Sequence, residues 1–471
     1  MRMPRFTTLV WMVAAACGSG DMEGGGLLVD VPPPSPTPTS IALRFERAAG
    51  QELDVFAGWL DEGGAPILGP APSISLEADH GTLSGPVLTE TGYSAHLVPG
   101  GTGVFAITAT SGSVTTTRTA VVLASVDDQW GQPEQVRGLV NTAGWEDGAS
   151  VSPDGETLVL QYLPVPIDCI FGGSASAPAC KVIGPIAEPE RPDLPGASRV
   201  FSDGRFRNGC PTVGLDPLPD NVVVPPNAQW AFTRQRDGSF GKPRAVFYDG
   251  IDGCISSFGL IIGPDNQVSW SLDNPIPPDD GAKIHTATLS LEPTTKLGTF
   301  TSPDGVLTLT DEPGELLALG EAEAEGNPFV MIQNGKRVVL FDDEAGRQDL
   351  LFATEVGANT WSAVAVIPDP VSVPGAQESQ PFFDGTTLLF RRDVTLLASD
   401  WNGGPMENAA SWSATRTILA PETTGTPPVG AIVAVGEPSV ATVDGVKELY
   451  FVYAVREADH LNLDVAFVRA R

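Results

Sequence analysis

From residue 41 the chain alternates apolar and polar positions with a period of two, the pattern of a half-buried strand. IALRFER (41–47), LDVFAGWL (53–60), SISLEA (73–78), YSAHLVP (93–99), VFAITAT (104–110) and TTTRTAVVLA (115–124) all read this way, with Gly, Pro or Asp between them. Six or seven short strands over this stretch predict a two-sheet β-sandwich spanning 41–125.

From residue 127 a repeat takes over. An apolar strand, a turn with Asp or Asn, and an alternating strand recur as SVSPDGETLVLQY (150–162), LIIGPDNQVSWSL (260–272), FTSPDGVLTLT (300–310), VMIQNGKRVVLF (330–341), PFFDGTTLLFRR (381–392) and SVATVDGVKELYFVY (439–453). The turn residues Asp154, Asp265, Asp304, Asn334, Asp384 and Asp444 tolerate the left-handed backbone of tight hairpins, and five are followed by Gly. They lie 111, 39, 30, 50 and 60 positions apart. A second unit, an aromatic residue and then a strand, recurs as DQWGQPEQV (128–136), GSFGKPRAV (238–246), NTWSAVAVI (359–367) and SWSATRTIL (411–419). Linked hairpins at this spacing predict a β-propeller over 127–471. The count is six blades, or five if 300–325 is not a full blade. The last blade ends at LDVAFVRAR (463–471) without an outer aromatic strand, and the aromatic unit around Trp130 has no hairpin of its own. The strand within 129–140 is therefore expected to complete the last blade and close the ring. A stretch rich in Pro, Gly and Cys at about 164–227 interrupts the first blade, either as a functional excursion or as a cover over one propeller face.

Two resemblances sharpen this architecture. HGTLSGPVLTETGYSAHLVPGGTGVFAITATSGSVTTT (80–117) resembles the bacterial Ig-like domains of adhesins and surface proteins, which implies an Ig-like sandwich acting as a spacer. WGQPEQV followed by NTAGWEDGASVSPDGETLVL resembles the TolB-like and WD-repeat-like propeller repeats of bacterial envelope proteins. The fold class expected is all-β: an Ig-like β-sandwich followed by a β-propeller.

Composition adds compartment. Gly 52 and Pro 43 in 471 residues fit turn-rich β-structure. A net charge of −31 repels nucleic acid and anionic headgroups, so no nucleic-acid partner is expected. Arg2 and Arg5 precede an apolar run, Phe6–Ala16, that is too short to span a bilayer. The run ends Ala14-Ala15-Ala16-Cys17-Gly18-Ser19, which resembles a bacterial lipobox. By that resemblance residues 1–16 are a lipoprotein signal peptide and Cys17 carries the lipid; a plain secretory signal cut at the Ala run is the alternative. Residues 17–40, with VPPPSPTPTS, form a stiff stalk. By the sorting rule for such lipoproteins, Asp21 lies beyond the position that retains a protein at the inner membrane, so the outer membrane is favoured, facing the periplasm or the cell surface. Cys169, Cys180, Cys210 and Cys254 remain for disulfides, with 169–180 and 210–254 preferred on closeness in sequence alone.

Chemical motifs are scarce. G-x-S-x-G, H-E-x-x-H, Walker and G-x-G-x-x-G patterns are missing, and the four His (80, 96, 285 and 460) are scattered. No catalytic residue, metal ligand or cofactor is therefore assigned. Asp273, Asp342, Asp343 and Glu437 flank the expected inner strands, where five-bladed polysaccharide-cleaving propellers place their acids, and 436–453 faintly resembles their repeats. Solvated turn and rim carboxylates are the plainer reading. Asp342, Asp343, Glu344 and Asp349 are dense enough to suggest Ca²⁺, but their spacing departs from an EF-hand, and an acidic hairpin turn is preferred. Trp401 and Trp412, if exposed, could stack on sugar rings; packing of Trp361 and Trp412 between blades as the repeat's anchor residues is preferred. The expectation is a single-copy, membrane-anchored envelope lipoprotein whose propeller binds a protein or glycan partner without chemistry. A glycan hydrolase or lyase needs two acids converging at one channel end; a purely structural role is the third reading.

Overall fold

The computed structural model describes residues 37–67, 72–163, 167, 196–200, 206–209, 228–241, 244–248, 256–264, 267–273, 283–288, 307–309, 315–317, 319, 325–343, 349–423 and 425–471. The expected signal peptide, most of the expected stalk, Cys17 and the four other cysteines lie outside these residues, as does nearly all of the 164–227 stretch expected as an insertion. Within that stretch two short strands, Gly196–Val200 and Phe206–Gly209, pair with each other.

The protein is all-β; the described residues contain no α-helix. The first part is a two-sheet sandwich. One sheet runs Ser40–Arg47, Leu53–Leu60 and Gly92–Val98, with the short strands Thr82–Leu83 and Val87–Thr89 both pairing with the last. The other begins Ser75–Ala78, Gly103–Ser111 and Val114–Val122. Strict alternation puts Leu53, Val55, Ala57 and Trp59 inward, where they meet Leu43, Leu97 and Ile107.

The second part is a ring of five sheets among the described residues. Their innermost strands are Trp145–Val151 (blade 1), Ser256–Ile262 (blade 2), Glu325–Gln333 (blade 3), Glu378–Asp384 (blade 4) and Ile432–Val443 (blade 5). Each adjoins the next, and the fifth adjoins the first. Among the described residues no sixth sheet joins the ring. Of the segment expected to form it, Leu307–Leu309 lies parallel to Arg244–Tyr248 at the outer edge of blade 1, and Glu315–Leu316 is the outer strand of blade 2. The turn signal at Asp304-Gly305 is local and does not specify which strands pair. Without it, the turn residues stand 111, 69, 50 and 60 positions apart.

Ring closure follows the expectation. Glu134–Gln135 pairs with Phe467 and Ala466 as the outer strand of blade 5, Trp130 bridges Ala470, and Gly131 N donates to Arg469 O. The same Glu134 pairs on its other side with Ala120, so the second sandwich sheet continues into blade 5 as one seven-stranded sheet. The half-buried ion pair of Arg118 with Glu134 reinforces the joint. Further along, Ser125–Val126 adds a fifth strand to blade 4.

Candidate functional site

Each innermost strand breaks register at a matching place: between Asp147 and Ser150, Phe258 and Ile261, Gly326 and Phe329, Ser379 and Phe382, and Gly436 and Ser439; the blade 5 strand has a further break between Ile432 and Ala434. Each matching break is a β-bulge containing a residue at positive φ: Gly148 (60°), Gly259 (61°), Asn327 (43°), Gln380 (57°) and Glu437 (53°). For Gln and Glu this backbone costs about 1 kcal/mol or more. Pro328, Pro381 and Pro438 follow the last three, which further disfavours helical-type backbone before them.

Hydrogen bonds across the blade seams hold these bulges. Asp342 Oδ2, from the second strand of blade 3, accepts from Asn327 Nδ2 and from the Gln380 backbone N–H of blade 4, both at 2.9 Å. Gln380 Oε1 accepts from Glu437 N of blade 5 at 2.9 Å, and Gln380 Nε2 donates to Glu437 Oε1 at 3.3 Å. Glu437 Oε2 accepts from Gly148 N of blade 1. Between blades 2 and 3 no side chain fits. A Cβ on Gly259 would lie 2.9 Å from Asn327 Oδ1 and 3.0 Å from its Cα. The result is a polar belt around the channel. The cavity bounded by Gly148, Gly259, Asn327, Gln380 and Glu437 measures about 10 Å³, room for about one water.

Three acids and one base meet at this belt. The carboxyls of Asp147 and Glu437 lie close enough to act on each other, and two buried carboxyls in that position favour a proton on one of them. Burial raises both carboxyls; the Asp147 charge raises Glu437 well above its ordinary value. Both residues keep some exposed surface, and Glu437 lines the small cavity of the belt. Asp342 is 2 % exposed, and burial pushes it up to about 6 against its two donors and Arg391. The positive field of Arg391 acts on all three. Behind the belt, between blades 1 and 5, Glu146 and Asp464 form a second carboxyl pair; burial raises them to about 9 and about 7.

Two acids sharing a proton could in principle serve acid–base chemistry. Here Glu437 spends both oxygens on neighbouring bulges, and the space beside it admits a water but no sugar ring. No group of three His, Cys, Asp or Glu side chains among the described residues is placed to hold a metal ion. A roomier concavity of about 280 Å³ lies at the joint of sandwich and propeller. Its lining is mostly polar and includes Arg47, Gln51, Glu52, Ser125 and Asp128. The Arg47 guanidinium is anchored there by Val126 O and Asp128 Oδ1.

Of the carboxylates singled out from sequence, Asp342 and Glu437 do converge on one part of the channel. Neither is a solvated rim group. Asp343 is half-buried beside Asp342, and Asp273 closes the second strand of blade 2. Glu344 lies outside the described residues. Trp361 and Trp412 are buried in the blade cores. Trp401 is half-buried, with its Nε1 donating to Gly404 O, so neither Trp401 nor Trp412 is a free stacking platform. His96 lies on the sandwich between Asp54 and Glu52, and His285 is a strand residue of blade 2.

Asp147, Gln380, Asn327, Arg391, Glu146 and Asp464 were not singled out from sequence. One signal was available: a polar residue before Pro inside an apolar strand, in NPFV, QPFF and EPSV. It marks three of the five bulges.

No protein-family model matches the chain, and no curated protein matches it. Solved structures do. A protein of unknown function from Dyadobacter fermentans is 11% identical, with 93% of this chain and all of that chain covered, at a TM-score of 0.35. The NanB sialidase of Streptococcus pneumoniae is 10% identical over 93% of this chain and 68% of its own, at 0.33. A glycosyl hydrolase from Bacteroides ovatus is 9% identical over 73% and 90%, at 0.35. At these scores the likeness carries nothing about activity.

Proposed function

We propose that this chain is a lipid-anchored protein of the bacterial envelope, at the outer membrane, whose folded part captures a polar partner, protein or glycan, without chemistry. One observation carries the non-catalytic half: the channel acids are committed to holding the blade bulges, in a space for about one water. The anchor rests on the lipobox-like run ending at Cys17. Capture is assigned to the polar cleft at the sandwich joint, which approaches the size of ordinary ligand sites.

The test is saturable binding of the purified chain to peptidoglycan, envelope polysaccharides and envelope protein fractions. Arg47→Ala removes the cleft's anchored cation and is expected to weaken binding by about tenfold or more, the scale of a lost charged contact. Glu437→Gln, remote from the cleft, is expected to leave binding unchanged. Binding that ignores Arg47→Ala, or no binding to any component, overturns the capture reading.

A further inference from the structure

The ring closes where blade 5 meets blade 1, and that seam is built unlike a hydrophobic one. Asn141 spans it, donating to Val136 O and Val465 O and accepting from Val465 N. Two consecutive residues of the blade 1 inner strand then face two acids of blade 5. Asp147 meets Glu437 on the channel side; Glu146 meets Asp464 behind it. In the second pair Glu146 is fully buried and Asp464 is 6 % exposed. Glu146 Oε1 accepts from Thr142 Oγ1 at 2.6 Å, and Asp464 Oδ2 accepts from Gln135 Nε2 at 3.2 Å and from Asn462 and Tyr453. That leaves Glu146 Oε2 and Asp464 Oδ1 buried without a donor. Two facing carboxyl oxygens with no donor between them repel unless a proton joins them.

We infer that the blade 5–blade 1 seam is a proton-held latch, closed while each carboxyl pair keeps a shared proton and released locally when the protons leave. The charged and titratable groups facing the latch are few. Arg391 of blade 4 faces the channel pair; Tyr162 of blade 1, Tyr453 and Glu457 of blade 5 face the rear pair. Arg391 is the cation among these groups; its field falls on the channel pair and on Asp342, while the main influences on the rear pair include no cation, so ionising the rear pair sets two negative charges side by side.

The sign follows from proton binding. Carboxyls raised on folding hold more protons in the native state than in the unfolded chain, so stability falls as pH climbs from their unfolded values through their folded ones. For the rear pair that window ends at about 7 for Asp464 and about 9 for Glu146. Asp342, at about 6, titrates below the range that reads the latch.

The experiment is amide hydrogen exchange on the purified chain from pH 7 to 9.5, expressed as protection factors corrected for intrinsic rates. Amides of the closing strands, 134–136 and 463–468, are expected to lose about tenfold protection per pH unit for each proton released, while Val330 and Met331 in blade 3 stay protected. The double variant Glu146→Gln, Glu437→Gln cannot release these protons and should show a flat profile. A flat profile in the natural chain, or an equal fall in the double variant, overturns the latch. Should the double variant not fold, infrared absorption of protonated carboxyl groups in the natural chain decides. The latch requires a signal at pH 7 that fades in step with closing-strand protection, and a chain without that signal has no latch.

Discussion

Glu448→Ala is expected to destabilise the fold by about 3–5 kcal/mol, the cost of stranding a buried partner charge. Glu448 is 1 % exposed and lies in the second strand of blade 5. It accepts from Arg234 Nη1 at 2.8 Å and Nη2 at 3.2 Å, from Arg469 Nε at 2.9 Å and from Tyr450 Oη at 2.8 Å. Burial works most strongly against its charge, yet Arg234, Tyr450 and Arg469 together outweigh it and hold the carboxyl below its ordinary value. Arg234 reaches it from blade 1, with only 9 % of its own side chain exposed, so the pair is a second polar tie across the closing seam. Urea unfolding of the variant measures the loss. The conservative Glu448→Gln keeps volume but still strands Arg234 and should lose most of the same stability. A loss under about 1 kcal/mol, the size of a surface ion pair, would show that solvent already screens the cluster.

The second large effect is expected at Trp130. It is 9 % exposed, belongs to the main propeller core with Val121, Leu123 and Phe451, and its backbone bridges Ala470. Trp130→Ala removes an aromatic anchor from the segment that joins sandwich to ring, and about 3–5 kcal/mol is expected, as for other buried aromatic truncations. Leu139, a few residues along the same segment, is 60 % exposed. Leu139→Ala should stay within about 0.5 kcal/mol. Thermal unfolding of the two variants side by side separates a core loss from a local effect. Equal behaviour would contradict the placement of Trp130 as the closure anchor.

The strands were legible because their information is local. Alternation in LDVFAGWL gives the inward set Leu53, Val55, Ala57 and Trp59 without reference to the rest of the chain. Closure was legible for a related reason: a chain end lacking an outer strand and an aromatic unit lacking a hairpin complement each other. Blade number stayed open between six and five, because Asp304-Gly305 carries the same turn chemistry as a blade hairpin, whereas pairing is decided by distant strands. The site was half legible. Asp342 and Glu437 stood out as acids near inner strands, but their role depends on which backbone N–H each carboxylate meets across a seam. Gly148 is 289 residues from Glu437 in sequence. The pairs Asp147–Glu437 and Glu146–Asp464 have no sequence signature, since each needs the closed ring to bring its members together.

The most direct test of a non-catalytic propeller is a cleavage assay on a broad panel of envelope and plant polysaccharides, run with the natural chain and with Glu437→Gln. The account predicts no new reducing ends or unsaturated products from either protein, and a lower melting temperature for the variant, since Glu437 stitches blade 5 to blades 1 and 4. Turnover by the natural chain that is lost in a folded Glu437→Gln variant would contradict the account and make the belt carboxylates catalytic.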